Sequence, residues 1–194
     1  MKRLFTVSLL IVLAGALSPP ATAASLLQEW GLNINGTTYL TVSSLPSGVN
    51  TSAFDFSTGL GVLTLQLGGP GFAIFYADIE LDEEVNTFFN EYGETSGVVP
   101  GGLTWEIDEP GWVYGDIFTN LLNGVLDNAN GVPMAAPDDV SFAIGWTLAG
   151  TDTATIRWRI SETPPRGGFY LKQVDPDSGS VVYMYSDVST GPNE

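Results

Sequence analysis

The sequence contains no cysteine and no histidine, and only six of its 194 residues are lysine or arginine. Each absence excludes chemistry. Without cysteine there is no disulfide framework and no thiol nucleophile, so stability must rest on core packing or bound ions. Without histidine there is no His-dependent catalytic triad, and together the two absences remove Cys/His zinc sites. Long apolar runs are scarce as well. The one that stands out, Leu4 to Leu17, is 14 residues and too short for the roughly 20 needed to span a bilayer as a helix.

That run has the flanks of an export signal. Lys2 and Arg3 precede it, Pro19-Pro20 breaks it, and Ala21-Thr-Ala23 gives the small-x-small pattern of a cleavage site. Residues 1–23 are therefore expected to be a signal peptide, and residues 24–194 a single secreted, extracellular domain. No transmembrane segment is expected in the mature chain. Loss of Lys2 and Arg3 would leave Arg157, Arg159, Arg166 and Lys172 against 22 acids, a net charge of −18. No basic residue lies between Arg3 and Arg157. Such a surface repels nucleic acid and anionic headgroups and favours cations, basic partners or solubility.

Twenty-three glycines and 12 prolines cut the chain into short β-rich segments. Asn35-Gly36 between Leu26–Ile34 and Thr37–Val42 is a strong hairpin signal, because a type I′ turn needs positive φ at two positions. Further strands are expected over 53–56, 62–67, 72–81, 103–107, 140–148, 153–160, 169–174 and 181–188. In 76–81 the alternation sets Tyr76, Asp78 and Glu80 on one face and Ala77, Ile79 and Leu81 on the other. In 153–160 it places Ala154, Ile156, Trp158 and Ile160 inside, with Arg157 and Arg159 outside. Two short helices are expected: 82–92, with an acidic first turn, and 116–128, capped by Asp116 and weakened by Gly124. The expected fold is all-β, a β-sandwich or jelly roll with one or two short helices.

Several segments in order carry a resemblance. They are Phe54-Asp-Phe-Ser-Thr-Gly-Leu-Gly61, Asn86-Thr-Phe-Phe-Asn-Glu-Tyr-Gly93, Trp105-Glu-Ile-Asp-Glu-Pro-Gly111 and Gly115-Asp-Ile117. Leu126-Asp-Asn-Ala-Asn-Gly-Val-Pro133, Asp138-Asp-Val-Ser141, Gly168-Phe-Tyr-Leu171 and Asp175-Pro-Asp-Ser178 follow. The series resembles the exported ectodomains of PEP-CTERM proteins, the bacterial group sorted by exosortase, over roughly residues 50–188. The resemblance implies a β-rich fold and a role at the envelope, in extracellular polymer or in biofilm matrix. The family's C-terminal Val-Pro-Glu-Pro-like signal, apolar helix and basic tail do not occur in this sequence, which ends Gly191-Pro-Asn-Glu194.

Paired carboxylates at Asp108-Glu109, Asp82-Glu83-Glu84 and Asp138-Asp139 are the candidates for acid/base work, which in a glycosidase needs two carboxyls placed across a cleft. Lys172, the sole lysine of the mature chain, has no Ser-x-x-Lys partner, which argues against Ser-Lys chemistry. Asp175-x-Asp177-x-Gly179 offers two carboxylates and a glycine bend. Asp175 and Asp177 are therefore calcium candidates, although an Asx/Pro turn closing a hairpin accounts for the same residues and is the favoured reading. Of five tryptophans, Trp146 and Trp158 read as core; Trp112 and Tyr114 are the aromatics expected to be partly exposed. The expected role is a non-enzymatic structural or interaction protein of the envelope or extracellular matrix, with extracellular polymer or envelope proteins as partners. A carbohydrate-binding module, calcium-stabilised, is the alternative, and predicts aromatic side chains in a row on one exposed sheet face. A carboxylate-dependent glycoside hydrolase ranks third.

Overall fold

The computed structural model describes residues 25–82, 87–111, 113–150 and 152–191. Among these residues, eleven strands build two antiparallel sheets: β1 (Ser25–Ile34), β2 (Thr37–Tyr39), β3 (Val49–Phe54), β4 (Gly61–Leu67), β5 (Gly71–Leu81), β6 (Tyr92–Ser96), β7 (Leu103–Asp108), β8 (Ser141–Leu148), β9 (Thr153–Ser161), β10 (Tyr170–Val174) and β11 (Val181–Gly191). One sheet has five strands in the order β2-β1-β5-β8-β7; the other has six, β3-β4-β9-β11-β10-β6. The described residues thus form the expected all-β sandwich. Residues 1–23, expected to be a signal peptide, lie outside them.

The core lies between the inner faces. Leu32, Phe75, Ile79, Phe142 and Ile144 from the first sheet meet Leu63, Ile156, Trp158, Leu171 and Met184 from the second. Trp158 is fully buried, and its indole N–H donates across the sandwich to the Ile144 carbonyl at 2.9 Å, which satisfies the polar end of a large apolar group. Strand β9 alternates buried and half-buried residues along its whole length, as its sequence predicts. The Asn35-Gly36 turn has φ of 52° and 84°, the two positive values of a type I′ hairpin.

The helix expectations fare differently. Helix α1 (Ile117–Asn123) is shorter than predicted, because Gly124 adopts a left-handed conformation (φ 73°) and ends it. The segment expected as a helix over 82–92 instead contains one 3-10 turn at Phe88–Asn90 and then enters β6 at Tyr92; residues 83–86 lie outside the described residues. Val42, expected at the end of a strand, begins a separate 3-10 turn.

Helix α1 packs on the outer face of the five-stranded sheet. Ile117, Leu121 and Leu126 form a second small core with Ile74, Tyr76 and Ala143. Gly31 makes this approach feasible: a Cβ there would lie 2.5 Å from Leu121 Cδ2. Buried Asn33 fixes the docking, since its amide donates to the Leu121 carbonyl at 2.6 Å and its oxygen accepts from Gly36 N at 2.9 Å. Strand β5 is therefore covered on both faces. The acids that alternation sets on its outer side, Asp78 and Glu80, are buried rather than solvated.

Candidate functional site

Asp78 and Glu80 stand two residues apart near the end of β5, on the same face. The β5–β8 register pairs Asp78 with Ser141, so the chain just before β8 carries Asp139 alongside them. Asp138 N donates to the Glu91 carbonyl at 3.0 Å, and the Asp138 carboxylate accepts from Asp139 N at 2.9 Å, which holds this loop in place. Carboxylate oxygens of Asp78, Glu80 and Asp139 all lie within 4.8 Å of one another. They sit in a cleft of about 510 Å³ whose other walls include Gln28, Glu109, Pro110 and Asp138. Phe89, Val113 and Tyr114 complete the rim and are 62%, 79% and 68% exposed. The exposure expected of Tyr114 is present; Trp112 lies outside the described residues.

Electrostatics single out Asp78. It is 1% exposed, and its Oδ1 has no hydrogen-bond donor among the described residues. Burial, reinforced by the neighbouring charges of Asp139, Glu80 and Glu29, pushes its carboxyl up to about 9. Three carboxyls converging on one point suit a single small ligand. A glycosidase instead sets its pair about 5 Å or more apart to flank a sugar bond.

A second carboxylate group lies on the same outer face: Glu106 and Asp108 of β7, with Asp116 before α1. All three carboxylates accept hydrogen bonds from the chain itself. Glu106 accepts from Asn120 Nδ2 at 3.0 and 3.2 Å and from Asp127 N at 3.1 Å. Asp108 Oδ2 accepts from Asp116 N at 2.8 Å. Burial raises Glu106 to about 7, and the donors from Asp127 and Asn120 oppose that rise by favouring its charged form.

The sequence-predicted calcium residues are placed elsewhere. Asp175 is buried at the start of the β10–β11 turn. Its carboxylate accepts from Asp177 N at 2.9 Å and from the Ser178 hydroxyl, while Asp177 is exposed. Gly179, at φ 77°, closes the turn by donating to the Asp175 carbonyl at 2.9 Å. This is an Asx-type hairpin turn. Neither residue belongs to the two carboxylate groups described above. Of the sequence-predicted pairs, Asp138-Asp139 and Glu109 reach the cleft, and Asp108 the second group; Glu83 and Glu84 lie outside the described residues.

The six-stranded sheet presents a different surface. Tyr92, Tyr170, Tyr183 and Tyr185 lie half-buried on adjacent strands β6, β10 and β11. The rings of Tyr170 and Tyr183 meet edge to face at 5.6 Å. Lys172, level with Tyr183, bonds Glu94 at 2.7 Å; burial works against its charge, but Glu94 outweighs this and holds its pKa above the usual value. Tyr170, Lys172, Tyr183, Glu94 and Asn130 line a groove of about 580 Å³. Next to it, Arg157 and Arg159 both bridge to Asp187, each at 3.3 Å. No helix among the described residues is long and apolar enough to cross a membrane. No family model, curated protein or solved structure matches the chain.

Proposed function

We propose that the protein is exported and acts without catalysis as an interaction protein of the bacterial envelope or extracellular matrix, holding extracellular polysaccharide on the outer face of its six-stranded sheet. The observation that carries this reading is the row of half-exposed tyrosines on β6, β10 and β11, interleaved with the Lys172–Glu94 pair. Tyrosine offers a rigid apolar ring for the C–H face of a sugar and a hydroxyl for its polar edge, while lysine and carboxylate reach sugar hydroxyls. The leader-like N-terminus and the resemblance to exported PEP-CTERM ectodomains support the location. The acidic remainder of the surface disfavours nucleic acid and anionic lipid.

The test is affinity electrophoresis through gels containing bacterial extracellular polysaccharides, with a glycan array alongside. The protein is expected to be retarded, and Tyr170→Ala and Tyr183→Ala are each expected to weaken binding about tenfold, the equivalent of ~1.4 kcal/mol. Tyr114→Ala, at the acidic cleft, is expected to bind normally. A blank array with unretarded migration would overturn the reading. Loss of binding in Tyr114→Ala alone would move the ligand to the cleft.

A further inference from the structure

We infer that Asp78, Glu80 and Asp139 form a calcium site at the floor of the acidic cleft. Two independent observations meet there. The first is convergence: three carboxylate oxygens, from β5 and from the loop before β8, lie within 4.8 Å of one another. The second is the state of Asp78, whose Oδ1 lacks a donor among the described residues although the residue is 1% exposed and lines the cleft. An acceptor buried without a donor is costly, and a cation supplies the missing partner.

The donor chemistry selects the ion. Every ligand available is oxygen, and the chain has no histidine or cysteine to attract softer metals. Glu109, Asp138 and the Gln28 amide stand around the same cleft as further oxygen donors. A site with this many oxygens, drawn from a strand and a loop, matches the six to eight adaptable ligands of calcium better than the strict octahedron of magnesium. The ion would join β5 to the 137–140 loop, whose Asp138 N also donates to the Glu91 carbonyl.

Calorimetric titration of the chelator-stripped, full-length protein with calcium chloride tests this without any polymer present, so its result is independent of the polysaccharide reading. One calcium per chain is expected, with a rise in melting temperature that magnesium at the same ionic strength does not reproduce. Asp78→Asn and Asp139→Asn should each weaken binding about tenfold or more. Glu106→Gln and Asp175→Asn should bind as the parent does. Should Asp78→Asn fail to fold, Asp139→Asn gives the same readout from a loop position. Absence of binding up to ~10 mM calcium, above the range of weak extracellular sites, overturns the inference. So does equal affinity for magnesium, or affinity that survives both cleft variants. Loss of binding in Asp175→Asn instead would place the ion in the β10–β11 turn and overturn the cleft assignment.

Discussion

Two groups of three carboxylates lie on the outer face of one sheet, yet their surroundings differ. Around Glu106, Asp108 and Asp116 the chain supplies donors: an asparagine amide and the backbone N–H groups of residues 116 and 127. At Asp78 a fully buried oxygen that lines the cleft has no donor among the described residues. The first group is a knot that ties the segment around α1 to β7. The second is the polar floor of the cleft, where a cation is inferred. Clustering of acids therefore says little by itself; the number of N–H groups aimed at each oxygen separates structural carboxylates from candidate ligands.

Removing the knot should give the largest effect. Glu106→Ala leaves Asn120 Nδ2 and Asp127 N without their acceptor, and the cost is expected to be about 3 kcal/mol in urea unfolding, with or without calcium. A loss below ~1 kcal/mol would mean that water replaces the carboxylate and that the two groups differ less than their geometry indicates.

Solution pH sharpens the contrast. Burial raises Glu106 to about 7, while Glu91, fully buried at the end of the sandwich, rises to about 9. Glu91 accepts from Gln173 and from Leu81 N, which favour its charged form, but burial prevails, aided by the charges of Glu80 and Asp139. A carboxyl with a raised folded-state pKa keeps its proton more readily when folded. Its contribution is complete below the unfolded value of ~4.3 and is lost as pH climbs to the folded value. In chelator, stability should therefore fall from pH 5 to 7 through Glu106, Glu91 and Asp78 and continue falling from 7 to 9 through Glu91 and Asp78. The ceiling is ~1.4 kcal/mol per pH unit for each group. Glu91→Gln should shallow the upper segment without flattening it, since Asp78 is also raised to about 9. Urea melts at pH 5, 7 and 9 read both segments; a slope that rises with pH would refute the assignment.

Asp78→Asn should act in the opposite direction to Glu106→Ala. In chelator it removes an ionisable group that burial and three nearby acids oppose, so a gain of about 1 kcal/mol is expected. With calcium the gain should vanish relative to the parent. A loss of stability in both conditions would show that Asp78 is structural.

The sandwich was legible where two-residue alternation and turn chemistry act locally: in 153–160, at Asn35-Gly36, and in the burial of Trp146 and Trp158. The 82–92 segment misled because an acidic stretch suits a helix start, whereas pairing with β10 draws Tyr92–Ser96 into the sheet. The cleft was only half legible. Alternation set Asp78 and Glu80 on one face, but that face is covered by α1 and loops distant in sequence, and Asp139 arrives through the β5–β8 register. A signal was nonetheless present. Phe72-Ala-Ile-Phe-Tyr-Ala is apolar without alternation, the mark of a central strand buried on both faces, so the acids that follow were candidates for burial.

The smallest expected effect concerns the residues that the sequence offered as calcium ligands. Asp55-Phe-Ser-Thr-Gly59 and Asp175-Pro-Asp-Ser-Gly179 make the same turn. In each, the aspartate carboxylate accepts from the N–H two residues on, at 2.8 and 2.9 Å, and a left-handed glycine donates back to the aspartate carbonyl, at 2.8 and 2.9 Å. Asp55 is exposed, and the Ser57 hydroxyl and amide hold its carboxyl below the ordinary value; Asp175 is buried. If both carboxylates serve only the turn, Asp175→Ala should cost about 1 kcal/mol, because a buried set of bonds is lost, and Asp55→Ala should cost less, because water replaces the carboxylate. Neither loss should depend on calcium. A calcium-dependent loss in Asp175→Ala alone would show that like turns have diverged in use, with the buried carboxylate a ligand and the exposed one serving only its turn.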